Sequence, residues 1–494
     1  MPQTIELSLV SHTNVGKTTL ARTLLGREVG EVRDEAHVTE AADVFELVAT
    51  AGGDRLVLWD TPGFGDSARL AKRLAQSDNP LGWFLSQVWD RYRDRPFWSS
   101  QQALRNVRER ADVVLYLVNA SEPPQDAGYV GPEMRVLGWI GKPVVVLLNQ
   151  LGRPRPAAEE QADVQRWRAH LAGELCVRAV LALDAFARCW VQEATLFGEL
   201  AAVIHADKRD AFARLSALWQ QRRRETFAAA LELLAQRLAA AALDRETVAE
   251  GGWADSLRTL GAALGVRREA EDSPRQRAMR ALAERLDRGI RTSTDQLIAL
   301  HRLGGRASAE ILTRLAEHYA VRERLSEGKA AAFGGVLTGA LAGLKADLAS
   351  GGLTFGAGLL VGGVLGALGA AGLARGYNLA RGAEHTLLTW NDAVLDGLVV
   401  SALLGYLAIA HYGRGRGDWV ASEYPAHWQD TVAAALAQQQ ELYRHVWSLR
   451  GDADTSDAIE SALREALAAT LGEVLRQLYP GVEIDHRVAA EAAN

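Results

Sequence analysis

Cysteine is scarce in this sequence. Cys176 and Cys189 are the two in 494 residues. They are too few for a disulfide framework, so a reducing compartment is expected. Charge of one sign is also lacking: 55 Lys and Arg stand against 61 Asp and Glu, a net charge of −6. So mild a balance carries no polyanion-binding signature, and nucleic acid is not expected as a partner. The first residues run directly into strand-like sequence, with no charged segment ahead of an apolar core. No secretory signal is therefore read, and a cytoplasmic location is expected. What is plentiful is tryptophan, 13 in all, and glycine, crowded near residues 334–376. The length allows two to four domains, and 48% hydrophobic residues can fill their cores.

One stretch organises the rest: Ser11-His12-Thr13-Asn14-Val15-Gly16-Lys17-Thr18. It follows the apolar run Ile5 to Val10 and precedes Thr19-Leu20-Ala21, which reads as strand, loop, helix. Gly16-Lys17-Thr18 is the working end of a phosphate-binding loop, where backbone N–H groups and a helix N-terminus cradle phosphate oxygens. Lys17 would reach the β and γ phosphates, and the Thr18 hydroxyl would ligate Mg2+. The pattern asks for glycine at position 11, and this chain has Ser11.

Strand patterns at 4–10, 44–50, 55–60, 112–119, 143–149 and 177–183 alternate with helical patterns at 17–25, 66–77, 101–110, 132–141, 157–172 and 192–206. Such alternation predicts an α/β domain over 1–205: a six-stranded, mostly parallel sheet covered by helices. Ligands in such sheets bind at the carboxyl ends of strands. The strand at 55–60 ends in Asp60-Thr61-Pro62-Gly63. Asp60 there can hold Mg2+ through a water, and the Gly63 N–H can contact a γ phosphate and sense its loss. Between the two motifs, Thr39 sits in a polar stretch and can reach the metal, or be an ordinary loop threonine. If it ligates, its release on hydrolysis would be an order–disorder switch.

At Asn149 the chain resembles the translation-factor class of P-loop GTPases, closest in style to Era-like and TrmE-like bacterial members. The matching pieces are Asn14-Val15-Gly16-Lys17-Thr18-Thr19-Leu20, Thr39, Asp60-Thr61-Pro62-Gly63 and Asn149. The resemblance implies GTP or GDP as ligand, Mg2+ as cofactor and slow GTP hydrolysis. In that family the motif at Asn149 is Asn-Lys-x-Asp, whose Asp pairs with guanine. Here Gln150 and Gly152 replace the Lys and Asp. After the sixth strand, Asp184-Ala185 could back the base. Asp184 could substitute for the missing acid, or cap a helix. Phe64 takes the position of the Ras-type Gln that orients the attacking water. His12 and His37 are the nearest alternatives by motif position, with a solvated loop histidine the plainer reading of each.

Residues 81–98 interleave Trp83, Phe84, Trp89, Tyr92, Phe97 and Trp98 with Arg91, Arg93 and Arg95. Three readings stand: stacking on nucleic acid, a protein-partner hot spot, or packing against the sheet or a second domain. Beyond Asp207 strand signals vanish, and an all-α remainder is predicted. Residues 206–330 read as amphipathic helices in a bundle or stalk, with Arg222-Arg223-Arg224 as a solvated face. In 331–413, Gly335, Gly339, Gly343 and Gly358, Gly362, Gly366 recur at every fourth position, the pattern of a glycine-zipper helical hairpin. Leu348 to Ala374 is free of charge, and a helix over 353–374 would be about 33 Å long, enough to cross a hydrocarbon core. A soluble small-residue core is the other reading; association with inner-membrane lipid or a membrane protein is the first. The run Leu398 to Ala410 is too short to span. Residues 414–494 form a linker and C-terminal helices. The whole layout resembles an uncharacterised bacterial family, an Era-like GTPase domain fused to a C-terminal domain of unknown function. Leu183 to Trp190, Gly152-Arg153-Pro154-Arg155-Pro156 and the glycine-rich segment carry that resemblance.

Overall fold

The computed structural model describes residues 1–26, 42–75, 85, 94–152, 154–185, 189–248, 274–303, 377–381, 386–412, 425–451 and 455–480. By compactness the chain forms two units, and the division first falls between Thr226 and Phe227.

The first unit is built on six strands: β1 (Thr4–Ser11), β2 (Asp43–Ala49), β3 (Arg55–Asp60), β4 (Val113–Asn119), β5 (Val144–Asn149) and β6 (Val177–Ala182). Their order is β2-β3-β1-β4-β5-β6. All neighbours are parallel except β2, which runs antiparallel to β3. The described helices are α1 (Lys17–Leu25), α2 (Ser67–Leu74), α3 (Arg95–Glu109), α4 (Val130–Ile140), α5 (Ala157–His170) and α6 (Trp190–Val203). This is the α/β arrangement expected over 1–205.

Central strands are apolar along their whole length because helices cover both faces of the sheet. Leu115, Leu117, Val145 and Leu147 enter one core with Leu196, Phe197 and Phe212. Val114, Tyr116, Val118, Val146 and Leu148 enter the other, with Leu104, Met134 and Trp167. The alternation along β4 and β5 is the two-residue period of a strand. Residues of β1, β4, β5 and β6 enter both cores, and the motif residues lie at or just beyond the C-terminal ends of β1, β3, β5 and β6.

Helix α7 (Arg209–Leu243) begins in the first unit. Arg223 there is not part of a purely solvated face. Its Nε donates to the buried Glu193 at 2.8 Å, and its guanidinium lies 4.7 Å from the Trp219 ring. A carboxylate that deep needs a fixed cation, and the middle arginine of the triplet supplies it.

The second unit is mostly helical: the rest of α7, then α8 (Pro274–Leu300), α9 (Asp392–Ala410) up to Ile409, α10 (Ala426–Gln438), α11 (Gln440–Ser448) and α12 (Ser456–Leu478) up to Val474. It departs from the all-α expectation through a three-stranded antiparallel sheet. Strands β7 (Arg245–Val248), β8 (Tyr377–Arg381) and β9 (Thr386–Trp390) lie in the order β7-β9-β8. Each has four or five residues, and β7 pairs with a strand about 140 residues later in the chain. The apolar run 398–410 lies in α9, where Val399, Leu403 and Leu407 are fully buried, so it is a core helix. Among the described residues, the helical stretch Ala206–Leu243 is long and apolar enough to cross a membrane by length and composition, and half of its apolar window is buried. The glycine repeats at 335–366 and the charge-free span 348–374 lie outside the described residues.

Candidate nucleotide-binding site

The site forms where β1, β3, β5 and β6 end. After β1 the chain turns through residues 12–16 into α1. Asn14 (φ 65°) and Gly16 (φ 98°) both take the left-handed conformation that makes the turn. Gly16 has a second constraint, since a Cβ there would lie 2.7 Å from Asn149 Nδ2. Side chains are excluded at Gly16, and the loop backbone can approach a ligand closely.

Lys17 opens α1 and is 7% exposed. Its Nζ donates to Ser11 Oγ at 3.0 Å. Ser11 is therefore more than a departure from the glycine of the pattern: its hydroxyl is the resting partner of the lysine. Burial pulls the Lys17 amine below its usual range, while Asp60 and Glu133 act to hold its charge. Thr18 Oγ1 donates to Asp60 Oδ2 at 2.5 Å. Asp60 is 2% exposed, and its Oδ1 is buried without a hydrogen-bond partner. Burial pushes its carboxyl up to about 6, opposed by the Thr18 hydroxyl and by Lys17.

That orphaned oxygen is the test of whether the site suits a metal. A hydroxyl and a carboxylate meet here, oxygen donors of the kind a hard Mg2+ ion takes while keeping waters and substrate phosphates as its other ligands. The residues fit the ion. Among the described residues no cluster of three His, Cys, Asp or Glu side chains forms a metal cage.

The segment after β3 runs beside the loop. Thr61 Oγ1 donates to the Leu9 carbonyl at 2.6 Å, and Phe64 N to the Ser11 carbonyl at 2.8 Å. Gly63 packs so closely that a Cβ would lie 2.9 Å from Thr13 Cα and 3.1 Å from Lys17 Nζ. Phe64 is fully buried in the core, so its side chain cannot orient a water at the phosphates.

At the base side, Asn149 is fully buried and ties two segments together. Its Nδ2 donates to the Val15 carbonyl at 2.6 Å, and its Oδ1 accepts from Ala185 N at 2.7 Å. Gln150 (φ 58°) and Gly152 (φ 82°) are both left-handed. Asp184 Oδ2 accepts from Leu151 N at 2.7 Å. It holds the 150–152 turn and is not the helix cap considered above, for Cys189 caps α6. Ala185 is buried, and its carbonyl accepts from Thr23 Oγ1 at 2.9 Å. Thr19 is buried within the first turn of α1. Thr39 and His37 lie outside the described residues, as do 81–84 and 86–93. Phe97 packs in the core under the Arg69 guanidinium, which answers the question for that ring.

Two comparisons bear on the whole chain. Residues 168–469 match the family described as "Domain of unknown function (DUF3482)". The chain belongs to that family. Residues 6–150 match the family described as "50S ribosome-binding GTPase", over the strands and loops just described, so this DUF3482 protein carries a P-loop GTPase domain at its N-terminal side. It is 27% identical over 152 residues to GTPase Der of Heliobacterium modesticaldum, covering 30% of this chain and 28% of that protein. It is 25% identical over 149 residues to GTPase Era of Carboxydothermus hydrogenoformans, covering 29% and 39%. The chain thus spans well under half the length of these relatives. Among solved structures, Era in complex with MgGDPNP and a 16S ribosomal RNA segment is similar at 18% identity and a TM-score of 0.27, over 37% of this chain and 52% of that one. Toc33 from Arabidopsis thaliana is similar at 16% identity and a TM-score of 0.24, over 38% and 72%.

Glu133, Ser67 and Tyr116 form a buried cluster behind this site, and sequence reasoning missed them. Glu133 is 1% exposed on α4 and accepts from Tyr116 OH at 2.6 Å. It also accepts from Ser67 Oγ, and His12 Nδ1 lies 2.8 Å from its Oε1. A signal existed. Val130, Glu133, Met134 and Leu137 recur at helical spacing, so the acid falls on the inward face.

Proposed function

We propose that this protein binds GTP with Mg2+ and hydrolyses it slowly, using the exchange of triphosphate for diphosphate as a switch. The observation that carries the reading is the pairing of Thr18 with Asp60 beside the buried Lys17. These groups have the chemistry for the phosphate and metal half of a nucleotide site. Lys17 leaves Ser11 to neutralise β and γ phosphate charge, and the loop N–H groups around Gly16 take phosphate oxygens. Thr18 and Asp60 hold the ion, with Thr39 as a further candidate ligand. A bound Mg2+ neutralises charge that builds on the phosphates. Gly63 N–H is the contact that distinguishes three phosphates from two. With Phe64 in the core, no side chain at that position activates water, which supports slow turnover unless another group or a partner assists.

In the base pocket Asn149 is structural, bracing the loop against Ala185. Gln150, Asp184 and Ala185 line the approach to the base. Guanine selectivity is proposed from the relatives, since the acid that would read the base edge is replaced by Gly152.

The switch is proposed to act through the helical remainder, on the cytoplasmic face of the inner membrane. Support comes from the charge-free span 348–374, with Lys329 before it and Arg375 and Arg381 after it. The aromatic segment 81–98, just past the γ-phosphate contact, is the proposed face for a protein partner. A second reading is a membrane-associated helical scaffold whose degenerate nucleotide domain binds nucleotide structurally or not at all; it takes its support from Gly152. Multiple-turnover phosphate release, set against a Lys17→Ala control, separates the two, and binding by Lys17→Ala tests the site itself. Calorimetric titration should show loss of triphosphate binding, and unchanged affinity would remove the site assignment.

A further inference from the structure

Backbone hydrogen bonds join the phosphate loop to the 61–67 segment, from Phe64 N to the Ser11 carbonyl at 2.8 Å and from Thr13 N to the Phe64 carbonyl at 3.2 Å. A buried carboxylate joins them again from a third element. Glu133 sits on α4, outside every phosphate-site motif, yet three polar side chains converge on it. His12 is the first residue after Ser11 in the phosphate loop, and its ring also stacks on Tyr129 with centroids 4.7 Å apart. Ser67 is the first residue of α2, four positions beyond Gly63, and is 3% exposed. Tyr116 lies in the middle of β4 and is fully buried. Ser67 Oγ and His12 Nδ1 are themselves 3.4 Å apart. Burying a carboxylate is costly unless polar partners surround it, and two of these partners, His12 and Ser67, come from the two loops that a triphosphate would touch.

Between those anchors the loops are already in contact. Gly63 lies against Thr13 and Lys17 with no room for a Cβ, and Gly65 lies against Pro96 with its N–H given to Ser100 Oγ at 3.2 Å. A small displacement of Ser67 would therefore shift Gly63 relative to Lys17.

We propose that Glu133 is a positioning residue for the nucleotide site, holding the 61–67 segment in register with the phosphate loop through Ser67 and His12. This rests on the nucleotide reading above. It adds that the preference for triphosphate over diphosphate is set by a side-chain joint behind the loops. The α and β phosphates would meet the 12–18 loop, on the His12 side of the joint, and the γ phosphate would meet Gly63, on the Ser67 side, so loosening the joint at Ser67 falls mainly on the γ-phosphate contact.

The test is a pair of equilibrium titrations with Mg2+ present, one with fluorescent GDP and one with a non-hydrolysable GTP analogue. They are run on the intact chain, Ser67→Ala, Glu133→Gln and the double variant. The ratio of triphosphate to diphosphate affinity should fall about tenfold in each single variant, the size of one lost charge-assisted hydrogen bond. It should fall little further in the double variant, because both changes break the same joint. GDP affinity should stay within about twofold in Ser67→Ala, which keeps the Glu133 charge beside Lys17. A merely structural role would lower both affinities together and leave the ratio unmoved. An unmoved or increased ratio, or additive losses, would overturn the proposal. If Glu133→Gln does not fold, Ser67→Ala carries the same test, with thermal melting as the check on folding. Binding of neither nucleotide by the intact chain would instead overturn the nucleotide reading itself, and this inference with it.

Discussion

Lys17 Nζ rests on Ser11 Oγ, 3.0 Å away, with both side chains buried. The residue that departs from the phosphate-loop pattern is thus the one that satisfies the loop's lysine. Ser11→Ala keeps the Cβ and removes the acceptor. The nucleotide-free chain should lose about 1–2 kcal/mol, the cost of an unsatisfied buried donor. The nucleotide-bound chain should lose less, because phosphate replaces the hydroxyl. Thermal melting with and without GDP checks this: the gain in melting temperature on adding GDP should be larger in Ser11→Ala.

Asp60 gives the site a pH dependence. Its folded pKa is raised, so the protonated form favours folding. That contribution is complete below about pH 4, near the ordinary aspartate value, and is lost as pH rises through about 6. Metal binding needs the carboxylate. Mg2+-dependent nucleotide affinity should therefore fall as pH drops through about 6, by about tenfold per unit below it, while metal-free stability changes in the opposite sense. Asp60→Asn should abolish the metal-dependent part. A flat affinity between pH 5 and 7 would contradict the assignment.

Asn149 links Val15 to Ala185 through two buried hydrogen bonds. Asn149→Ala leaves a carbonyl and an N–H unsatisfied, at a cost of about 2–4 kcal/mol. Chemical denaturation followed by circular dichroism should show that loss even without nucleotide. An effect on nucleotide affinity with stability unchanged would mean that Asn149 acts on the ligand directly.

Gly152 stands where the family's base-reading acid would be. A Cβ there meets nothing within 4 Å, though φ is +82°. Aspartate tolerates that conformation better than most residues, so Gly152→Asp should fold with a penalty of about 1 kcal/mol. It should sharpen discrimination of GTP from ITP, whose base lacks the 2-amino group, in a competition titration. The unmodified chain should distinguish the two weakly.

The legible parts of the chain were those with local signals. The six strands of the first unit are long, apolar runs bounded by turns, and the Gly16-Lys17-Thr18 and Asp60-Gly63 motifs sit at two of their ends. The small sheet escaped because Arg245–Val248 is four residues long and pairs with a strand about 140 positions away, a contact that local propensity does not encode. Glu133 escaped because a single acid on a helix reads as solvated until its neighbours at helical spacing are seen to be buried. Ser11 escaped because a pattern mismatch does not reveal which donor its hydroxyl will meet. In Arg222-Arg223-Arg224, three identical residues hid one with a distinct job, pairing with Glu193.

The domain built on Lys17, Thr18 and Asp60 is expected to turn over a nucleoside triphosphate. Phosphate release from GTP by the intact chain with Mg2+ is the decisive assay, set against Lys17→Ala and repeated with anionic lipid vesicles. Slow multiple turnover is expected of the intact chain and none of Lys17→Ala. Release no faster than in Lys17→Ala under both conditions would rule out hydrolysis at this site.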